Sequence, residues 1–215
     1  SGGFYLAGNF RDTVNFDPQS SIANNIVSKG SSDMYLTHYK INNYLDWIAH
    51  IEGDGTDHTS SHNIVKDFNN NIILTGAFNG TADFQPGILN TELTSIDGNP
   101  DFFIASYRSN AKLNWVKHIK SSRGKDFINC ITIDNDSNFV LSGYFSNDID
   151  FPDENSSHSF TANAKGNSTD IFFAKCNSLG DLLYFNHYGA DTTDNLLSQI
   201  NDLAVDKKNN YVAVG

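Results

Sequence analysis

Short apolar runs of about five to seven residues, broken by clusters of Gly, Asn, Asp and Ser, fill the chain from end to end. The runs are rich in Val, Ile, Phe, Tyr and Thr. Such side chains fit a pleated, half-buried surface, so the runs read as β-strands. No segment carries a long 3.6-residue apolar period with capping residues at its ends, and Asn195 to Ile200 reads at best as a turn. Two kinds of hairpin are explicit. One turns through Asp134-Asn135-Asp136-Ser137-Asn138, with relatives at Asp67 to Asn71 and Asp206 to Asn210. The other turns through Asn42-Asn43, Ser109-Asn110-Ala111 and Ser178-Leu179-Gly180. Asn, Asp and Gly suit these places because they tolerate positive φ or bond their own backbone.

The same pattern returns. Phe4-Tyr5-Leu6-Ala7-Gly8, Ile72-Ile73-Leu74-Thr75-Gly76, Phe139-Val140-Leu141-Ser142-Gly143 and Tyr211-Val212-Ala213-Val214-Gly215 share one signature, their glycines 68, 67 and 72 residues apart. Asn15-Phe16-Asp17-Pro18 matches Asp83-Phe84-Gln85-Pro86 and Asp150-Phe151-Pro152. Then Gly30, Gly98 and Gly166 precede Asp33, Asp101 and Asp170, each of which opens an apolar run. Trp47, Trp115 and Tyr184 share one phase of the next run, with His50, His118 and His187 three residues on. Asp57, Asp126 and Asp194 follow, and each unit closes on Ile64 to Asp67, Ile131 to Asp134 or Leu203 to Asp206.

Four antiparallel strands per unit, repeated in tandem, is the pattern of a β-propeller blade. The fold class is therefore expected to be all-β, with about three blades' worth of four-stranded blades from a larger propeller. A unit of about 68 residues exceeds common propeller repeats of roughly 40–50. The surplus, as at Gln19 to Gly30 and Asp153 to Gly166, reads as a long loop or a small extra hairpin.

Composition changes little in that picture but narrows the function. The chain is 39% hydrophobic and 18% charged, ordinary for a globular protein. Its 25 acidic against 14 basic residues give a net charge of −11, which argues against nucleic acid and anionic lipid as partners. No apolar run approaches the roughly 20 residues of a membrane helix. Two cysteines, Cys130 and Cys176, make neither a disulfide framework nor a zinc site. They fall on strands of one blade separated by roughly 9–10 Å, beyond disulfide reach. The chain opens inside a repeat and without a signal peptide, so targeting information is expected to lie outside it.

Asp101-Phe102-Phe103-Ile104-Ala105-Ser106-Tyr107, Trp115 and Leu74-Thr75-Gly76-Ala77-Phe78-Asn79-Gly80-Thr81-Ala82-Asp83-Phe84 resemble the bacterial β-propeller repeat named SBBP. The likeness runs along essentially the whole chain. It departs from the family at His50, His118 and His187, where a small residue is usual, and in Asn replacing Gly in the turn before the glycine strand. The resemblance implies that the strand ending in Asp67, Asp134 or Asp206 is innermost and the Trp115-type strand outermost. Residues 1–57 would then be an incomplete blade lacking its innermost strand, 58–125 and 126–193 two blades, and 194–215 the first two strands of the next. Open blade faces at both ends would call for remaining blades of the same chain or a covering subunit. The family pattern carries no catalytic residue and implies a secreted or surface-attached bacterial protein.

Candidate chemistry is weighed against that frame. Asp33, Asp101 and Asp170, with Asp57, Asp126 and Asp194, recur in every unit, which favours one structural job: accepting backbone N–H bonds and tying adjacent turns. Gly76 and Gly143 are read as permitting close strand or blade approach, and Gly8 holds the same repeat position. Phe103, Ile104, Trp115, Phe172 and Phe173 are read as blade-to-blade packing. The Asp134 loop opens like a calcium loop, but Phe139 and Phe145 stand at its sixth and twelfth positions in place of Gly and Glu, so a hairpin is preferred. No cofactor is expected beyond weak calcium on an acidic surface. The three outer-strand histidines are expected to pack or face solvent, since blade rotation keeps them apart. His58 and His62 lack a third ligand, the sequons at Asn79, Asn155 and Asn167 match chance, and no nucleophile elbow or phosphate loop occurs. The expectation is a non-enzymatic protein- or glycan-interaction module at a cell surface. The rival is part of a propeller hydrolase or lyase whose active site lies on other blades.

Overall fold

The computed structural model describes residues 2–58, 63–87, 91–96, 98–122, 126–153, 156–163, 168–189 and 199–215. Among them every regular element is a β-strand. The first repeat holds β1 (Gly3–Phe10), β2 (Thr13–Asn15), β3 (Asn25–Val27), β4 (Asp33–Lys40) and β5 (Leu45–Gly53). The second holds β6 (Ile64–Lys66), β7 (Ile72–Phe78), β8 (Thr81–Asp83), β9 (Glu92–Thr94), β10 (Asp101–Tyr107) and β11 (Leu113–Ser121). The third holds β12 (Phe127–Ile133), β13 (Phe139–Phe145), β14 (Asp148–Pro152), β15 (Ser157–Thr161), β16 (Asp170–Cys176) and β17 (Leu182–Tyr188). β18 (Asp202–Val205) and β19 (Tyr211–Val214) end the chain. The stretch from Asn195 to Ser198 lies outside the described residues.

All strand pairings are antiparallel, in the orders β1-β4-β5, β6-β7-β10-β11, β12-β13-β16-β17 and β18-β19. The middle two are four-stranded, with three strands in the first and two in the last, as in propeller-like blades. β12 lies against β6 on one side and β18 on the other, so the innermost strands of successive sheets gather together. Asn63 Nδ2 donates to the Ile128 carbonyl at 3.2 Å and Asn129 Nδ2 to the Ile200 carbonyl at 2.5 Å, tying neighbouring inner strands.

The surplus residues of each repeat are a hairpin rather than a loop: β2-β3, β8-β9 and β14-β15. It begins earlier than the sequence suggests, its first strand running up to Asn15, Asp83 or through Asp150. It also reaches across to the preceding repeat. β8 pairs with β5 through Glu52↔Asp83 and Gly53↔Ala82, and β14 pairs with β11 through Lys120↔Asp150 and Ser121↔Ile149. An outermost strand has one unpaired edge, and the hairpin satisfies the backbone groups at one end of it. The β8-β9 and β14-β15 hairpins thereby each latch two blades.

Blades stack because their strands bury both faces. In β7, Ile72, Leu74 and Phe78 join a core cluster with Met34, Leu36 and Ile51 of the first repeat. Ile73 and Ala77 of the same strand join another cluster with Phe139, Leu141 and Phe145 of the third. In β10, Phe103, Ala105 and Tyr107 face backward while Phe102 and Ile104 face forward. Period-two alternation thus sends successive residues into two different interfaces, and all seven residues of β7 and of β10 are buried. Phe103, Ile104 and Phe172 are fully enclosed, whereas Trp115 and Phe173 pack half-buried at the margins.

A repeated tyrosine adds a polar tie inside this core. Tyr39 Oη donates to the Phe16 carbonyl at 2.7 Å, and Tyr107 Oη to the Phe84 carbonyl at 2.9 Å. Burial raises the ionisation of both phenols above the ordinary value, so they remain donors. The third repeat has Cys176 at that place, buried and unpaired, with its thiol pushed up to about 12 by burial. Cys130 is also free, and β13 separates its strand from that of Cys176.

Turn geometry repeats as faithfully. Asn70, Ser137 and Asn209 hold φ of 65°, 65° and 61° between the first and second strands, and Asn43 and Ala111 hold 64° and 66° in the other hairpin. These are left-handed positions closing tight hairpins of the type-I-plus-bulge kind. Asn tolerates such a φ, while Ser and Ala carry a strain that Gly relieves. Ser137→Gly is therefore expected to stabilise the chain by about 0.5–1 kcal/mol, net of the entropy Gly loses on folding. Urea unfolding checks this, and a loss of stability would contradict the assigned turn.

Candidate functional site

The three aspartates that open β4, β10 and β16 are fully buried, and each meets a histidine of the adjacent outermost strand. His50 Nε2 lies 2.6 Å from Asp33 Oδ2, His118 Nε2 lies 2.6 Å from Asp101 Oδ2, and His187 Nδ1 lies 2.7 Å from Asp170 Oδ2. An ionised carboxyl only accepts, so the ring nitrogen donates. The same carboxyls accept backbone N–H bonds: Lys29 to Asp33 at 3.0 Å, Ile96 and Ser121 to Asp101 at 3.1 and 3.0 Å, and Asn163 to Asp170 at 2.8 Å. Each imidazole also sits 5.4 Å from a phenyl ring at the end of the glycine strand, Phe10, Phe78 or Phe145. The histidines expected to pack or face solvent are thus one arm of a three-part clasp. Asp, His and Phe join the second, third and fourth strands of one blade at the same end. Sequence reading treated the two residue types separately. The usable signal was their constant separation of 17 residues in all three repeats.

Asp57 and Asp126 occupy a second equivalent place, near the same ends of the blades, while Asp194 lies outside the described residues. Asp126 accepts from Ser146 N and Oγ at 2.8 and 3.0 Å, and from Ser121 Oγ. Asp57 accepts from Asn79 N at 3.3 Å, but its buried Oδ2 has no hydrogen-bond partner among the described residues. Gly53 stands where the other repeat has Ser121, so the hydroxyl is missing. Burial pushes the Asp57 carboxyl up to about 7, the Asn79 bond working against it and the Asp33 and Asp54 charges with it. Burial raises Asp126 too, against the pull of its serine partners.

The Asp134 loop is a hairpin turn whose carboxyl is already engaged. It accepts from Asp136 N and Asn138 N at 2.9 Å, from Lys175 Nζ at 2.8 Å and from Tyr211 Oη at 3.0 Å. Burial alone would raise this group, but the bonds from Lys175 and Asn138 outweigh it and hold it well below the usual carboxylate range. Asp67 and Asp206 grip Asn71 and Asn210 in the same manner. Among the described residues, no group of three or more His, Cys, Asp or Glu side chains is placed to hold a metal. His58 stacks on Phe127 at 5.5 Å, and His62 lies outside the described residues, as do Asn155, Gly166 and Asn167.

The remaining repeat positions serve packing unequally. A Cβ at Gly76 would come within 2.8 Å of both the His58 carbonyl oxygen and the Phe103 ring, and one at Gly8 within 2.8 Å of Tyr35 Oη. Gly143 is similarly crowded by Phe127 and Phe172. Trp47 packs between the first two blades beside Tyr5, and Trp115 between the second and third beside Phe139. Tyr184 shares their phase but is 56% exposed. Two equivalent open notches lie on the rim, where an outermost strand meets the next hairpin. One, of about 420 Å³, is lined by Ile26, Ile48, His50 and Pro86; the other, of about 710 Å³, by Leu93, Val116, His118 and Pro152.

No family model matches the chain. It is similar to an uncharacterized WD repeat-containing protein, L264, of Acanthamoeba polyphaga mimivirus, 26% identical over 184 residues. The match takes in 80% of this chain and 13% of that protein, so the chain spans a small part of its relative's length. A repeat protein of the WD kind accords with the propeller-like blades observed here.

Two outcomes test the clasp and the orphaned carboxyl. Asp101→Ala strands His118 and two backbone N–H groups and is expected to cost about 3–5 kcal/mol. Equilibrium unfolding checks it, and a cost below about 1 kcal/mol would show the clasp to be dispensable. Asp57 keeps its proton in the folded chain up to about pH 7 but loses it near 3.8 when unfolded. Stability should therefore fall as pH rises between those values and stay at the lower level above them. Asp57→Asn should flatten that slope and add on the order of 1–2 kcal/mol at pH 8. An unchanged slope in unfolding curves taken from pH 4 to 8 would refute the assignment.

Proposed function

We propose that the chain is a non-enzymatic protein-interaction module, a run of propeller-like blades that offers its rim hairpins and notches to a partner. The observation that carries this reading is where the recurring chemistry goes. Asp33, Asp101 and Asp170, with their histidines, bond within their own blades, and Asp134 is engaged by Lys175, Tyr211 and its own turn. Groups that obey the repeat hold the fold, and binding falls to surfaces that differ between repeats. The hairpins differ most. The first repeat's carries Ile22, 79% exposed, and Val27, 62% exposed, whereas the β14-β15 hairpin is studded with Asp148, Asp150, Ser159 and Thr161. The similarity to a WD repeat-containing protein supports the module reading. An SBBP-type setting on a secreted or surface-attached bacterial protein is proposed from the Asp101-Phe102-Phe103-Ile104-Ala105 and Thr75-Gly76-Ala77-Phe78 likeness alone.

The test is affinity capture from a cell-envelope fraction, followed by titration of each recovered protein against the purified chain. A partner should bind saturably, and Ile22→Asp on the exposed hairpin should weaken it at least tenfold while the melting curve stays unchanged. Reproducible turnover of a glycoside or peptide substrate by a longer protein that contains this chain would instead support the hydrolase or lyase reading.

A further inference from the structure

The seam between the first and second blades and the seam between the second and third are built alike but satisfied unequally. In each, the link that follows the outermost strand is stitched to the next blade. At the first seam Asp54 N donates to the Thr81 carbonyl at 3.0 Å and Thr81 N to Asp54 Oδ1 at 2.6 Å, while His58 and Ala77 exchange both backbone bonds. Asp57 lies inside this link, fully buried, and its own N–H donates to the Ser32 carbonyl at 3.2 Å. Asp126, at the same place in the second seam, receives bonds from Ser146 N, Ser146 Oγ and Ser121 Oγ. Asp57 receives one, at 3.3 Å, because Asn79 at the Ser146 place donates only its backbone N–H and Gly53 at the Ser121 place has no hydroxyl. The charges acting on Asp57 are negative, from Asp33 opening β4 and Asp54 of its own link. Glu52 and Asp83, paired across β5 and β8 beside the link, add two more carboxyls. The nearby cations are engaged elsewhere: Lys29 Nζ lies 3.8 Å from Glu52 Oε2, and His50 Nε2 bonds Asp33. Burial lowers His58, stacked on Phe127, so it brings no charge at neutral pH.

We infer that the first seam is a proton-operated catch, in which Asp57 holds the link closed while protonated and releases it to water on ionising. A buried carboxylate denied donors inside the fold gains them only from solvent, so ionisation drives the segment outward. Little has to break: β8 meets β5 over two residue pairs, Glu52↔Asp83 and Gly53↔Ala82. The core beneath, where Met34, Leu36 and Ile51 meet Leu74 and Phe78, stays packed. In the closed seam burial pushes the Asp57 carboxyl up to about 7, and in the opened one it returns toward its ordinary 3.8. Opening therefore grows as pH rises between those values and levels off above them. The second seam changes less, since its serine donors offset the burial of Asp126. The first rim notch has walls on both sides of the catch, Ile48 and His50 on one blade and Phe84 and Pro86 on the other, so opening reshapes it. The catch itself needs no partner.

Native-state amide hydrogen exchange at pH 5 and pH 8, corrected for intrinsic rates, reads the two seams separately. Opening at the His58, Asn79 and Thr81 amides should rise roughly tenfold or more. Opening at the Ser122 and Ser146 amides of the second seam should rise far less. Gly53→Ser supplies the hydroxyl that Ser121 gives Asp126, with the end of the Asp57 side chain shifting to make room, and should abolish the rise. Asp57→Asn keeps the side chain's shape without its charge and should abolish it too, so the test does not hang on one variant's folding. No rise at the first seam, an equal rise at both, or a rise that persists in Asp57→Asn would each overturn the assignment. None of these outcomes bears on the rim-binding reading, which is decided by titration of a captured partner and Ile22→Asp.

Discussion

The structure depends on two-sided burial of its central strands. A sheet with one wet face alternates polar and apolar residues, but β7 and β10 have no wet face. Odd and even residues must both be apolar or internally satisfied, and they must fit two different neighbours. That requirement explains why the glycine strand and the Asp-opened strand stay largely apolar in every repeat. It also explains the glycines. Where Phe103 or Phe172 crosses the neighbouring strand, a Cβ at Gly76 or Gly143 would collide with the ring.

Polar groups follow from the same constraint. Stacked blades leave strand ends buried, so the N–H groups there need acceptors that come with the blade itself. The opening aspartates supply them, and the histidine of the outermost strand completes the carboxyl's shell from the rim. Further out, a blade edge is unpaired, and the hairpin of the next repeat closes part of it. Core, clasp and latch thus act at increasing distance from the inner strands, and each joins elements that the previous one leaves loose.

Strands, turns and the repeat itself were legible in the sequence because they rest on local chemistry: β-branched runs, Asn- and Asp-rich turns, and a fixed order of markers. Contacts between distant residues were not. Asp101 reads as an acceptor of backbone N–H bonds and His118 as a packed or exposed ring, since nothing local says that two strands of a hairpin place them 2.6 Å apart. The latch was hidden for a similar reason, because β14 pairs with a strand of the preceding repeat. Tyr184 misled in the opposite direction. It keeps the phase of Trp47 and Trp115 but is 56% exposed. The orphaned Oδ2 of Asp57 could be seen only once Gly53 was placed opposite Ser121 of the next repeat.

Solution proof of the stacking would come from methyl- and aromatic-resolved NOE spectra of the labelled chain. The account requires cross-peaks between the Trp115 indole and the Phe139 ring, 6.3 Å apart by centroids, and between Ile51 and Leu74 methyl groups of one shared core. Cross-peaks confined within each repeat, with none joining one repeat to the next, would mean independent sheets on a string and would contradict it.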